Sequence, residues 1–112
     1  PPWSPAVTVA GDPRGRTAVL SWGSNTGVCA EAAAGMGLRA VGVSVVSPFP
    51  AGSLRRALDG ADRVVTVEHS AAGQFAALVS AHGFDPAERI MRCDGRPFSV
   101  EEMERALKEA AG

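Results

Sequence analysis

The segment Ala40–Val46 (AVGVSVV) is apolar almost throughout, and this constrains the fold more than any other stretch. A strand with one face in water alternates apolar and polar residues. A strand apolar at nearly every position is buried on both faces, as in parallel sheets. Such a sheet needs helices above and below it. The chain supplies them, because strand-like runs alternate with helical stretches along its 112 residues. That alternation predicts an α/β fold with a mostly parallel sheet. Ala40–Val46 is also the longest apolar run, far short of the ~18–20 residues of a membrane span.

Ala6–Ala10 (AVTVA) reads as a short strand, followed by a turn at Gly11-Asp12-Pro13-Arg14-Gly15, where Gly and Pro punctuate and Asp tolerates turn geometry. Thr17–Ser21 is a second strand. Thr26–Met36 is an Ala-rich helix closed by Gly35 and Gly37. After Ala40–Val46, the prolines of Ser47-Pro48-Phe49-Pro50 exclude helix. Gly52–Leu58 is a short helix carrying Leu54, Ala57 and Leu58 on one face, and Arg63–Glu68 a fourth strand. Gly73–His82 is amphipathic, with Phe75, Leu78, Val79 and His82 stacked. Asp85–Glu88 suits one helical turn, with Asp as N-cap and Pro first. Glu88–Cys93 contains a fifth strand, and Asp94–Pro97 is a loop. Ser99-Val100-Glu101-Glu102 is a capping box, opening a last helix with Val100, Met103 and Leu107 inward.

Right-handed crossovers restrict the topology. They place Ala40–Val46, Thr17–Ser21, Arg63–Glu68 and Glu88–Cys93 side by side in that order. The turn before Thr17 is too short for a parallel crossover, so the first strand runs antiparallel at an edge.

The length suits one domain spanning residues 1–112, large enough to bury a core without metal or disulfide staples. With 11 basic and 12 acidic side chains the formal charge is −1, unlike the basic excess of a nucleic-acid module. Cys29 and Cys93 lie far apart, without metal-ligand spacing. Both read as inert thiols in a reducing, cytoplasmic setting. There is no basic-then-apolar leader, and the Pro-Pro-Trp start without Met suggests a piece excised from a longer chain.

In open α/β sheets ligands favour the crevice beyond the strand carboxyl ends where the order reverses, here between Thr17–Ser21 and Arg63–Glu68. Two loops meet there, each entering a helix N-terminus receptive to anions. The first holds Trp22, Gly23, Ser24, Asn25, Thr26 and Gly27. The second holds Glu68, His69, Ser70, Gly73 and Gln74. Gly23 and Gly27 let backbone approach a ligand, and Ser24, Asn25 and Thr26 can donate. The same residues also serve as ordinary N-caps and turns. Neither a P-loop nor a GxGxxG fingerprint is present. Glu68 and His69 could pair as acid and base. No Ser or Cys stands ready to complete a triad, which favours a structural carboxylate bound to a helix N-terminus or a neighbouring chain. His82, at a helix end, reads as structural. Cys93 with Arg96 lacks the cradle of a rhodanese or phosphatase loop. Trp22 either plugs the top of the core or anchors an interface.

Ala18-Val19-Leu20-Ser21-Trp22-Gly23-Ser24-Asn25-Thr26-Gly27, with Glu31-Ala32 beyond it, resembles the start of the C-terminal domain in α subunits of 2-oxoacid:ferredoxin oxidoreductases. Pro48-Phe49-Pro50 resembles that domain's Pro-x-Pro connection. Val67-Glu68-His69-Ser70-Ala71-Ala72-Gly73-Gln74 resembles its VExNxxGQ segment, and Asp94-Gly95-Arg96-Pro97-Phe98 with Glu101-Glu102 its closing segment. These matches run in order from Val7 to Leu107. Ser70 departs from the family's Asn. A broader relationship reaches transketolase C-terminal domains and 2-oxoacid dehydrogenase β subunits.

The resemblance implies a three-layer α/β/α fold with five strands, one of them antiparallel. It implies that the intact enzyme oxidatively decarboxylates a 2-oxoacid to acyl-CoA and reduces ferredoxin. Thiamine diphosphate with Mg, and iron–sulfur clusters, would serve that chemistry from other domains and subunits, with no cofactor in this domain. The expected partners are the remainder of the α subunit and the β subunit, and not nucleic acid or a membrane. The expected role is assembly at the active-site rim, the isolated piece being inactive. The alternatives are an independent small-anion or nucleotide-binding module, and a transketolase or dehydrogenase β-subunit domain.

Overall fold

The computed structural model describes residues 7–23, 25–44, 49–68, 74–91 and 98–111. Strands β1 (Val7–Gly11), β2 (Thr17–Trp22), β3 (Arg39–Val43), β4 (Arg63–Glu68) and β5 (Glu88–Met91) form one sheet in the order β1-β3-β2-β4-β5. The pairs β3–β2, β2–β4 and β4–β5 are parallel, and β1 joins β3 antiparallel at the edge. This is the predicted order and polarity.

Four helices connect or close these strands: α1 (Asn25–Met36), α2 (Ala51–Ala57), α3 (Gln74–Ala81) and α4 (Val100–Ala111). The step from β2 to β3 moves one way along the sheet, and the steps from β3 to β4 and β4 to β5 move the other way. Right-handed crossovers in opposite directions lay their helices on opposite faces. The core divides accordingly. Leu54, Phe75 and Val79 of α2 and α3 pack on Ala18, Leu20, Val41 and Val43. Cys29 and Ala32 of α1, with Met103 and Leu107 of α4, pack on Val19, Val65 and Val67. Successive strand residues thus serve opposite layers. Every residue of β3 is buried, as its apolar run requires.

The edges of the elements differ from expectation in places. β3 ends at Val43, opposite Val7, where β1 begins, and beside Trp22, where β2 ends. Residues 45 and 46 lie outside the described residues, as do Ala6, the Ser47-Pro48 part of the proline connection, Cys93 and the Asp94–Pro97 loop. The helical turn at Asp85–Glu88 does not form. The Ala87 N–H donates to the Val64 carbonyl at 2.8 Å and Glu88 opens β5, so the sheet ladder claims backbone that a helical turn would need.

The helix ends are specified chemically. Gly37, at φ +70°, closes α1, and the Leu38 N–H reaches back to the Ala33 carbonyl at 3.0 Å. This is the Schellman arrangement that a glycine makes cheap. The capping box forms as read: the Ser99 N–H donates to Glu102 Oε1 at 2.9 Å, and the Glu102 N–H donates to Ser99 Oγ at 3.1 Å. At the amino ends of the strands, two arginines satisfy helix C-termini. The nearly buried Arg39 donates to the Ala57 and Asp59 carbonyls at 2.9 and 2.7 Å. Arg63 donates twice to the Ala110 carbonyl, at 3.0 and 2.8 Å. Cations there oppose the negative helix ends.

Candidate functional site

Parallel pairing brings the carboxyl ends of β2, β4 and β3 together, with Ser21 beside both Gly42 and Val67. The strand order reverses between β2 and β4, where the sequence placed the crevice. Of the candidates, Trp22, Gly23, Asn25, Thr26, Gly27 and Glu68 are described. Ser24, His69, Ser70 and Gly73 lie outside the described residues, and Gln74 is described only as the first residue of α3.

Glu68 is only 3% exposed. Its Oε2 accepts the Phe75 N–H at 2.9 Å, and its Oε1 accepts the Ala76 N–H at 3.1 Å. These are amides of the first turn of α3, which no carbonyl within the helix can satisfy. A carboxylate there also meets the positive end of the helix dipole. Both oxygens are therefore committed to holding α3 against the end of β4. This is the structural role weighed above; the acid/base alternative with His69 involves a residue outside the described set.

Trp22 is half-buried and stacks on Phe75, with ring centroids 5.7 Å apart and planes 29° from parallel. Phe75 is fully buried, so the half-buried Trp22 covers the core over β2. Gly23 has φ +74°, and its carbonyl accepts the Thr26 N–H at 3.1 Å in the turn into α1. Asn25 is 3% exposed. A Cβ at Gly23 or Gly27 would meet open space, whereas one at Gly42 would lie 2.5 Å from the Thr26 methyl group. The bare Cα of Gly42 therefore lets the first turn of α1 settle on β3. Thr8, Gly23, Thr26, Gly42, Val43 and Ser44 line a shallow groove of about 310 Å³ beside this turn.

Cys29 lies beneath, fully buried in α1. Burial pushes its thiol up from 9.0 to about 12, a hydrogen bond from Ser21 offsetting part of the rise. It is a protonated, unreactive thiol at neutral pH. His82 lies just past α3, exposed, with its ring stacked on Phe49 at 4.3 Å. Sequence reasoning missed Arg39, because a charged residue ahead of a strand reads as solvated.

A thiamine diphosphate site would need carboxylates free to hold its metal ion, and an iron–sulfur cluster would need several exposed thiolates. Glu68 is spent on α3 and Cys29 is buried and protonated. Among the described residues no three His, Cys, Asp or Glu side chains converge to hold a metal. Glu68 and Cys29, so placed, suit neither cofactor. Among them no helix is long and apolar enough to cross a membrane.

No family model matches the chain. Individual proteins do. The α subunit of 2-oxoacid:ferredoxin oxidoreductase 1 from Sulfurisphaera tokodaii is 32% identical over 104 residues, covering 90% of this chain and 17% of that protein. The 2-oxoacid:ferredoxin oxidoreductase α subunit from Saccharolobus solfataricus is 27% identical over 108 residues, covering 91% and 17%. The chain thus spans about a sixth of the length of the curated relatives it matches. A solved structure of 2-oxoglutarate:ferredoxin oxidoreductase from Magnetococcus marinus, with 2-oxoglutarate, coenzyme A and succinyl-CoA bound, superposes with a TM-score of 0.83. That match covers 98% of this chain and 20% of the other, at 21% identity, and establishes the shared fold. Sequence and fold agree on one assignment: this chain is a domain of the 2-oxoacid:ferredoxin oxidoreductase α-subunit family.

Proposed function

We propose that the chain is the C-terminal, assembly domain of a 2-oxoacid:ferredoxin oxidoreductase α subunit, and that residues 1–112 make up that one domain. The intact enzyme would oxidatively decarboxylate a 2-oxoacid, transfer the acyl group to coenzyme A and reduce ferredoxin. Thiamine diphosphate, its Mg ion and the iron–sulfur clusters would be held by the rest of the α subunit and by the β subunit. This chain would pack against those parts in the cytoplasm. It would present Trp22–Gly27 and Glu68–Gln74 toward neighbouring chains or the rim of the active site.

The observation that carries this reading is the relationship to α subunits over nine-tenths of the chain, joined to a sixth of their length. The chemistry at the switch point supports assembly over catalysis. The buried carboxylate there holds a helix, and the half-buried Trp22 is the kind of rigid aromatic that interfaces favour.

Two measurements test it. The chain alone, given 2-oxoacid, coenzyme A, thiamine diphosphate, Mg and ferredoxin, is expected to show no ferredoxin reduction. Added to an α subunit lacking this domain together with the β subunit, it is expected to co-purify and restore turnover. Turnover by the chain alone, or failure to associate, overturns the proposal. Calorimetric titration with phosphate, nucleotides and coenzyme A separates the small-anion reading. Micromolar binding abolished by Gly27→Val would favour that reading over assembly.

A further inference from the structure

The two edges of the sheet are built differently. β5 spans only Glu88–Met91, and its exposed residues include Glu88 and Arg89. Charged side chains on a short strand discourage another strand from pairing there. At the other edge β1 reads VTVAG, with no charge and no proline. Its residues from Thr8 to Gly11 are exposed, and Val9, at 44%, is the exposed large hydrophobic side chain among the described residues. The described strands put only β3 beside it.

The hydrogen bonding shows which backbone groups that edge offers. The Asp12 N–H donates to the Leu38 carbonyl at 2.9 Å, just past the Gly11–Arg39 pair. In an antiparallel ladder the bonded pairs alternate. Ala10 and Thr8 therefore turn their backbone groups toward β3, and Val7 and Val9 turn theirs outward, while Gly11, at φ +70°, leaves the extended geometry and ends the edge. Outward N–H and C=O groups on an uncharged strand recruit another extended strand.

We infer that β1 is a pairing edge for β1 of a second copy of this chain, joined antiparallel about a two-fold axis. A segment that turns backbone groups outward and carries no charge is complementary to itself under that symmetry. Pairing centred on Val9 sets Val9 opposite its own copy and Thr8 opposite Ala10. No like charges meet in that register. The two Val9 side chains lie on the same face and bury one another. The backbone geometry makes Val9 a hydrogen-bonded pair with its copy, its Cα atoms about 5.5 Å apart. The interface is one strand wide, so the association is weak and concentration-dependent.

Sedimentation equilibrium of the chain should show a mass rising from one chain toward two between micromolar and millimolar concentrations. Val9→Lys, which leaves the β3 pairing intact, should stay at one chain mass with an unchanged circular dichroism spectrum. Under mild oxidation Val9→Cys should cross-link to a disulfide dimer, because its separation lies within disulfide reach. Thr8→Cys should form at least tenfold less, since it faces Ala10. A single-chain mass at every concentration overturns the inference. So does a dimer that survives Val9→Lys, or one in which Thr8→Cys cross-links as readily as Val9→Cys.

Discussion

Cys29 illustrates how far a single residue can be read before its surroundings are known. An Ala-rich helix with no second ligand nearby already marked it as an inert thiol. What the sequence could not hold was its depth: it sits fully buried under the sheet with Ser21 as its hydrogen-bond partner. Its raised value has a consequence for stability. The folded thiol keeps its proton to about pH 12, while the unfolded thiol loses it near its ordinary value of 9.0. Between those limits the folded state binds more protons, so stability falls as pH rises. The contribution is present in full below pH 9 and lost through the window up to about 12. The expected slope is about 1.4 kcal/mol per pH unit at most. Urea midpoints measured from pH 8 to 11 should fall more steeply for the parent than for Cys29→Ala. Parallel curves would show that the thiol titrates alike in both states.

At the scale of elements, signals confined to a few adjacent residues were the most legible. The capping box at Ser99–Glu102 was readable because donor and acceptor stand three residues apart and need no tertiary partner. The Asp85–Glu88 turn had an equally good local signature and still failed. A ladder bond from Ala87 to Val64 outweighed it, and that bond spans more than twenty residues of sequence. The mirror case is α3. Its first-turn amides are held by Glu68, seven and eight residues before them. Removing that carboxylate leaves two N–H groups without acceptors, each costing about 1–3 kcal/mol if it remains buried. Glu68→Ala should therefore lower unfolding free energy by roughly 2–6 kcal/mol. Glu68→Gln, which keeps one acceptor oxygen, should lose about half as much. Urea unfolding at pH 7 measures both. A Glu68→Ala protein as stable as its parent would show that α3 is held by Phe75 packing alone.

For the whole molecule, topology was legible because chain order and crossover handedness leave few arrangements. The switch point followed from topology, but the occupants of its crevice did not, since those depend on chains that this one meets. The same topology orders the stability of the parts. β2 lies at the centre with parallel neighbours on both sides, and Ala18, Val19 and Leu20 are fully buried beneath helices on both faces. Its amides can exchange only when both layers part. β5 is four residues long at an edge, and α2 has seven residues, with Leu54 buried along its length. Segments with few buried contacts open locally without unfolding the rest. Amide hydrogen exchange should therefore protect β2 and the β2-facing part of β4 to the level of global unfolding. Amides of α2 and β5 should exchange at least about tenfold faster, through openings that leave the centre closed. Raising urea should speed β2 exchange steeply and α2 exchange little, because only the first exposes the whole core. Exchange from α2 as slow and as urea-dependent as that from β2 would mean that the two layers unfold as one unit, and that the sheet's centre holds no stability beyond what its thinnest helix shares.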